Sequence, residues 1–191
     1  MSSLISWNTV ATLWIVFVVY WGVSAVRAKQ TERTEGVGAR LTTIVLLGVA
    51  AVLIFSRGGN FGVLNRRFVP QSEVIEGASI VLVAAGVATA IWARRHIGEF
   101  WSARATLKVD HQLIQSGPYA RVRHPIYSGV LLAMLGTALF VGEWRGLVGV
   151  VLVFVAHWHK ARREEVLLAG QFGSVYEEYR KRTGSLIPRL H

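Results

Sequence analysis

Five apolar runs separated by polar connectors constrain this chain more than any other feature. They are Val10 to Val26, Leu41 to Phe55, Val74 to Ala93, Ile126 to Val141 and Gly146 to Ala156. A helix needs about 20 residues, at about 1.5 Å each, to cross the hydrocarbon of a bilayer. The first run extends back to Leu4 and the third has full length, whereas the second is short and borrows flanking residues. The pattern predicts an all-α, polytopic membrane helix bundle with about five transmembrane segments. With 52% hydrophobic residues and a mean hydropathy of +0.42, the chain is too apolar for an ordinary soluble domain.

The last two runs are joined by Gly142-Glu143-Trp144-Arg145, a short polar turn that connects antiparallel neighbours, so they read as a C-terminal helical hairpin. Its second arm passes through His157-Trp158-His159 into Lys160 to Arg163 with no Gly or Pro to stop it. The helix is therefore expected to continue out of the bilayer as a charged, cytoplasmic extension. With five crossings, 17 of the 21 Lys and Arg residues fall on one side and 4 on the other. Basic residues are retained on the cytoplasmic side, so the N-terminus is expected outside and the C-terminus in the cytoplasm, at the plasma (inner) membrane if the source is prokaryotic. The start, Met-Ser-Ser-Leu-Ile-Ser-Trp, lacks the basic region and cleavage site of a signal peptide, and the first run should stay in the mature protein.

A formal charge of +10 raises nucleic acid as a partner. The basic residues sit between apolar runs, however, and the bilayer is the better explanation, with no nucleic acid involved. There is no cysteine, which excludes disulfides and thiolate zinc sites. His157 and His159, two apart on a helix, point to different sides, and no metal site is expected. Gly36-Val37-Gly38 and Arg57 to Asn60 read as membrane-exit turns. Ala84, Gly86, Ala88 and Ala90 are small enough to let helices approach closely, and Trp101, Trp144 and Trp158 read as interfacial anchors.

The polar block from His111 to Tyr127 interrupts this apolar pattern. Gly117-Pro118 supplies a turn, and Arg123-His124-Pro125 is a helix-start signal, with proline in the first turn. Tyr119 and Tyr127 flank the basic pair, as expected of a loop at the mouth of a helix bundle, where small-ligand pockets form. In the charged extension, Lys160 and Glu164 are four apart and share one helical face; a carboxylate there accepts hydrogen bonds from an amine or from ribose hydroxyls, and the lysine holds an anion. Glu165 is expected to face elsewhere. Phe172-Gly173, Tyr176 and Tyr179 are assigned to docking a terminal helix.

These residues together resemble the isoprenylcysteine carboxyl methyltransferase family and its phospholipid-methyltransferase relatives. The resemblance covers roughly Phe100 to Pro188 and rests on His111-Gln-Leu-Ile114, Gly117-Pro-Tyr119, Arg123-His-Pro-Ile-Tyr127, Glu164-Glu165, Phe172-Gly173 and Tyr176-Glu-Glu-Tyr179. It implies an integral membrane enzyme that moves a methyl group from S-adenosylmethionine to a lipophilic, prenylcysteine-like acceptor. It also implies one membrane domain over 1–191, with transmembrane helices in 1–99 and a cofactor-binding methyltransferase core in 100–191. By resemblance, His111, Gln112, Leu113, Ile114, Tyr119, His124, Pro125, Ile126 and Tyr127 line the cofactor pocket and Glu164 closes it. Lys160 stands where those enzymes carry a substrate-binding arginine, with Arg163 nearby, and Arg104 stands where they carry a glutamine. A carboxylate acceptor is ionised at neutral pH and needs no base, whereas an amine must lose a proton; the sequence shows no dedicated base, which favours the carboxylate. The rivals are a sterol-type membrane reductase, whose NADPH demands clustered Arg and Lys between Arg94 and Arg123, and a non-enzymatic transporter or assembly subunit.

Overall fold

Each apolar run becomes one helix. The structure is a computed structural model describing residues 2–25, 31–34, 37–98, 101, 106–108 and 113–189. Its helices are α1 (Ser2–Ala25), α2 (Val37–Phe55), α3 (Glu73–Ile97), α4 (Pro125–Val141), α5 (Trp144–Phe172) and α6 (Ser174–Arg182). A small antiparallel ribbon pairs β1 (Thr31–Thr34) with β2 (Thr106–Lys108), and 3-10 turns cover Gly62–Asn65 and Gly117–Ala120. The fold is a polytopic helical membrane bundle in which α1, α2 and α3 are long and apolar enough to span, while α4 is shorter. At 29 residues, α5 is about 43 Å long, against about 30 Å of hydrocarbon. Its charged end therefore projects past the apolar layer, as its unbroken sequence predicts.

Helix α3 is the spine. Ser72 caps it by accepting from the Ile75 amide, Glu73 and Glu76 occupy its first turn, and Arg94, Arg95 and His96 occupy its last, so its charges oppose the helix dipole at both ends. Its buried stripe meets α4 backbone to backbone. A methyl at Gly86 would collide with the backbone of Gly129 and Ala133, and one at Gly129 would meet Ala90 and the Gly86 carbonyl. This is the packing of small residues that helices use in lipid, where apolar side chains gain nothing by leaving the acyl chains. Of the four small residues expected at the contact, Gly86 and Ala90 are buried in it, but Ala88 is exposed. Residues two apart on a helix lie about 200° apart, so alternate positions cannot share a face.

Helix α1 crosses this pair with Val10 against Val83, Val87 and Ala133, and Trp14 Nε1 donates to Thr137 Oγ1 of α4 at 3.0 Å. Helix α2 rests on α5, where Gly149 lies against Ile54 and the Ala50 carbonyl. Facing outward are exposed Ile15, Val19, Val45, Val52 and Val151, a surface suited to lipid and far too apolar for water.

Helix C-termini leave carbonyls without partners, and three arginines supply them. Arg94 Nη2 donates to Ser24 O at the end of α1 at 2.6 Å. Arg145 Nη1 donates to Leu53 O at 2.6 Å and Ser56 O at 3.0 Å at the end of α2. Arg67 Nη1 reaches Val141 O of α4 at 3.2 Å. Trp101 is not the interfacial anchor its composition suggested: it is buried, beneath Arg94 at 4.4 Å and edge-on to Trp21. The connection between α4 and α5 is also tighter than the four-residue turn expected, because Gly142 takes the left-handed conformation (φ 71°) and α5 begins at Trp144.

Candidate functional site

The polar loop before α4 is held from three sides. Gly117 has φ +58°, and a side chain there would strike the His96 ring; His96 Nε2 and Ser116 Oγ lie 2.9 Å apart. Tyr119 is buried and its carbonyl accepts from Tyr179 OH at 2.7 Å, so the tyrosines of α6 dock that helix under the loop as expected. Beyond α6 the chain doubles back. Arg123 N donates to Gly184 O and His124 N to Ser185 O, at 2.9 and 3.1 Å. Ser128 Oγ donates to Leu186 O. This strap, residues 183–186, fixes the backbone of Arg123-His124 just where Pro125 starts α4.

The side chains of that pair meet the charged end of α5. Arg123 donates from Nε and Nη2 to Glu165 Oε1 at 3.0 and 2.9 Å, and from Nη1 to Thr183 O at 2.6 Å and Arg180 O at 3.3 Å. The same Glu165 oxygen accepts from Ser185 Oγ at 3.0 Å. His124 lies between two carboxylates, with Nε2 3.3 Å from Glu165 Oε1 and Nδ1 3.4 Å from Glu164 Oε2. Tyr127 OH donates to Glu164 Oε1 at 2.6 Å. Glu165 therefore does not face elsewhere. Adjacent helical residues diverge by only about 100°, and the imidazole bridges the ridge between them.

A ring stack runs alongside. Tyr127 lies parallel to His124, with centroids 5.4 Å apart, and to His157, with centroids 4.7 Å apart. Lys160 Nζ stands 5.3 Å from the Tyr127 centroid. His157 is buried, and its Nδ1 has no hydrogen-bond partner among the described residues.

The electrostatics follow from these contacts. Burial alone disfavours a charged His124, but hydrogen bonds and charge from Glu164 and Glu165 outweigh it and raise its pKa. Geometry says the same, since both ring nitrogens face carboxylate oxygens and only the imidazolium donates from both. Burial likewise opposes ionisation of Glu165, yet His124 and Arg123 bring it down to about 2. Glu164 is also lowered, by His124, Lys160 and Tyr127 acting against its burial. The site is a set of paired charges with two different carboxylates. Glu165 is 8% exposed and encircled by donors, whereas Glu164 is 19% exposed and lies beside the ring stack.

The structure thus brings together His124, Tyr127, Lys160 and Glu164 from the expected set. Pro125 and Ile126 are buried, and Ile126 packs with Ala93, Trp101 and Tyr119, against which the part-buried Ile114 lies; Leu113 is part-buried at the loop's start. Arg163 Nη2 donates to Thr43 Oγ1 of α2 at 3.0 Å, away from the His124 cluster. His111, Gln112 and Arg104 lie outside the described residues. Sequence reasoning missed Glu165, Ser185 and His157. Only the Glu-Glu doublet carried a signal, since Ser185 joins the cluster through a strap that no local pattern announces.

The cluster offers a partly exposed carboxylate, a lysine, aromatic faces and an imidazole nitrogen with no partner among the described residues, groups able to bind hydroxyls, an ammonium or an anion. A family model described as phospholipid methyltransferase matches residues 73–175, more than half the chain. Protein-S-isoprenylcysteine O-methyltransferase of Schizosaccharomyces pombe is 39% identical over 85 residues, covering 42% of this chain and 35% of the relative. A probable protein-S-isoprenylcysteine O-methyltransferase of Oryza sativa subsp. indica is 37% identical over 80 residues, covering 41% and 42% respectively. The cobalt-zinc-cadmium resistance protein CzcN of Cupriavidus metallidurans is 31% identical over 96 residues, covering 49% and 44%. The chain spans less than half the length of each of these relatives.

Proposed function

The chain belongs to the phospholipid methyltransferase family, and on that premise we propose that it transfers a methyl group from S-adenosylmethionine to a lipophilic acceptor at the cytoplasmic membrane interface. Carboxyl O-methylation of a prenylcysteine-like acceptor is the favoured reaction. The observation that carries this reading is the convergence of His124 and Tyr127 with Glu164 of α5. The part of the chain from residue 100 onward forms the core of the site, and α3 braces it from within the family match.

S-adenosylmethionine supplies a methyl on a sulfonium whose thioether is already a good leaving group, so alignment and exclusion of water are what remains for the protein. Glu164 binds hydroxyl or ammonium groups of the donor, and Tyr127, stacked on both sides, fixes that carboxylate. Leu113 and Ile114 belong to the same wall, and the resemblance adds His111 and Gln112 to the cofactor-binding set. Lys160 neutralises the acceptor's carboxylate as a point charge, and Arg163 stands on its α2 side. His124, committed as a donor to two carboxylates, is not available to take a proton. That favours an acceptor which attacks as a ready-made anion. The reductase reading loses support for a related reason: Arg123 directs its donors to Glu165 and two carbonyls, and Arg94 caps α1, leaving neither for a 2′-phosphate.

Calorimetric titration of detergent-purified protein tests the proposal. Saturable binding of S-adenosylmethionine is expected, lost in Glu164→Ala, with no binding of NADPH. Absence of binding, or binding indifferent to Glu164→Ala and His124→Ala, would overturn it.

A further inference from the structure

The opposite end of the bundle, where α2 and α4 finish and α5 begins, holds a cavity of about 250 Å³. That is several times the ~30 Å³ share of one water molecule. Its lining includes Trp7, Ser56, Arg57, Arg67, Glu143 and Arg145. Only four Lys or Arg residues lie in the connectors on this side of the bundle, and three of them, Arg57, Arg67 and Arg145, converge here against the single carboxylate of Glu143. Arg145 is held by Glu143 Oε2 and two carbonyls of the α2 end. Arg67 turns Nε and Nη1 to the carbonyls of Val69 and Val141. Arg57 differs: like Arg67 it is exposed, but its guanidinium lies 4.3 Å over the Trp7 ring. Ser56 Oγ is buried with no hydrogen-bond partner among the described residues.

Helix capping accounts for Arg67 and Arg145. It accounts for neither Arg57, nor the excess of positive charge, nor the orphaned hydroxyl beside an open volume. Guanidinium groups at the level where helices end, one of them over a tryptophan ring, suit a phosphate, whose oxygens accept from both arginine and hydroxyl donors. We propose that this cavity is a phosphate-ester site, remote from the His124 cluster, which takes the headgroup of an anionic phospholipid with its chains lying along α1. The site is independent of the proposed methyl transfer.

Native mass spectrometry of the full chain, released from micelles containing equal parts of phosphatidylglycerol and phosphatidylcholine, tests this. One retained phosphatidylglycerol is expected. Its affinity should fall about tenfold in Arg57→Ala, the scale of one charge-assisted hydrogen bond, recover largely in Arg57→Lys, and stay unchanged in Arg66→Ala, a same-face arginine outside the cavity. A parallel titration with inorganic phosphate is read by tryptophan fluorescence, with Trp7→Phe as the blank. A response that Trp7→Phe abolishes, without lipid retention, keeps the phosphate site and assigns it to a free phosphate. Equal retention of both lipids, or equal losses in Arg57→Ala and Arg66→Ala, with no phosphate-dependent fluorescence, would overturn the proposal.

Discussion

Replacing Glu165 by Gln separates the carboxylate that braces the cluster from Glu164, the one proposed to bind the donor. In the folded protein Glu165 is held at a pKa of about 2 against an ordinary 4.5. At 1.36 kcal/mol for each pKa step, that corresponds to about 3 kcal/mol of stability at neutral pH. Breaking a buried ion pair by removing one partner costs about 3–5 kcal/mol, because the other charge is left uncompensated. Here Arg123 would keep only an amide oxygen and the carbonyls of Arg180 and Thr183. Both routes give about 3 kcal/mol. For a chain of this length each kcal/mol moves the unfolding midpoint by about 2–4 °C, so thermal unfolding in detergent should show Glu165→Gln lower by about 6–12 °C. Glu164→Gln, at the more exposed carboxylate, should shift it by less than half as much while abolishing cofactor binding. A Glu165→Gln shift under 2 °C, or equal shifts in the two variants, would refute this division of labour.

Tyr127→Phe keeps the ring stack and removes the 2.6 Å bond to Glu164. Calorimetry should show S-adenosylmethionine binding weakened about tenfold, in line with a hydrogen bond to a charged group, with little change in midpoint. Gly86→Leu must push α3 away from α4, and thermal unfolding should show a loss of at least about 2 kcal/mol. By contrast Gly170→Ala, in a helix with open space around it, should gain up to about 1 kcal/mol. Stability against pH should fall on both flanks of neutrality. The Glu165 contribution is complete above about 4.5 and is lost as pH falls toward 2, whereas the His124 contribution is complete below its unfolded pKa of about 6.5 and is lost as pH rises through its raised folded value. Unfolding midpoints across pH check this, and His124→Gln should remove the alkaline flank and weaken the acid one, since His124 also helps to hold Glu165 low.

The bundle was legible because lipid imposes a simple requirement, a long apolar helix, which the first three runs met and the shorter fourth run approached. The start of α4 at Pro125 was legible for the same kind of local reason, as was the extension of α5 through Lys160, where nothing interrupts the helix. What escaped was anything set by pairing between distant segments. Arg145 reads as one residue of a polar turn, yet it closes the end of a helix some ninety residues earlier in the chain. Trp101 reads as an interfacial anchor because tryptophan favours interfaces, and only the fold reveals the guanidinium of Arg94 above it. Glu165 was set aside because a single helix face was counted, and the partner that makes two adjacent residues equivalent, His124, lies on another element.

That last error bears on how the site works. A lone Glu164 on a projecting helix would be a mobile, solvated carboxylate, and a donor-binding group must be held in place to be selective. The neighbouring Glu165 fastens α5 to Arg123, Ser185 anchors the strap to the same oxygen, and His124 joins the two carboxylates through its two nitrogens. Glu164 is therefore positioned in part through the Arg123–Glu165 pair, to which His124 links it, and it keeps its partial exposure. The strap also follows α6 directly in the chain, and α6 is held by the buried Tyr176 and Tyr179. Assembly of the site is coupled in this way to docking of the C-terminal segment, so weakening Tyr179 should loosen Glu164 without touching it. Loss of cofactor binding in Tyr179→Ala, with α1 to α5 still folded by circular dichroism, is the expected result, and unchanged binding would mean that the strap is dispensable.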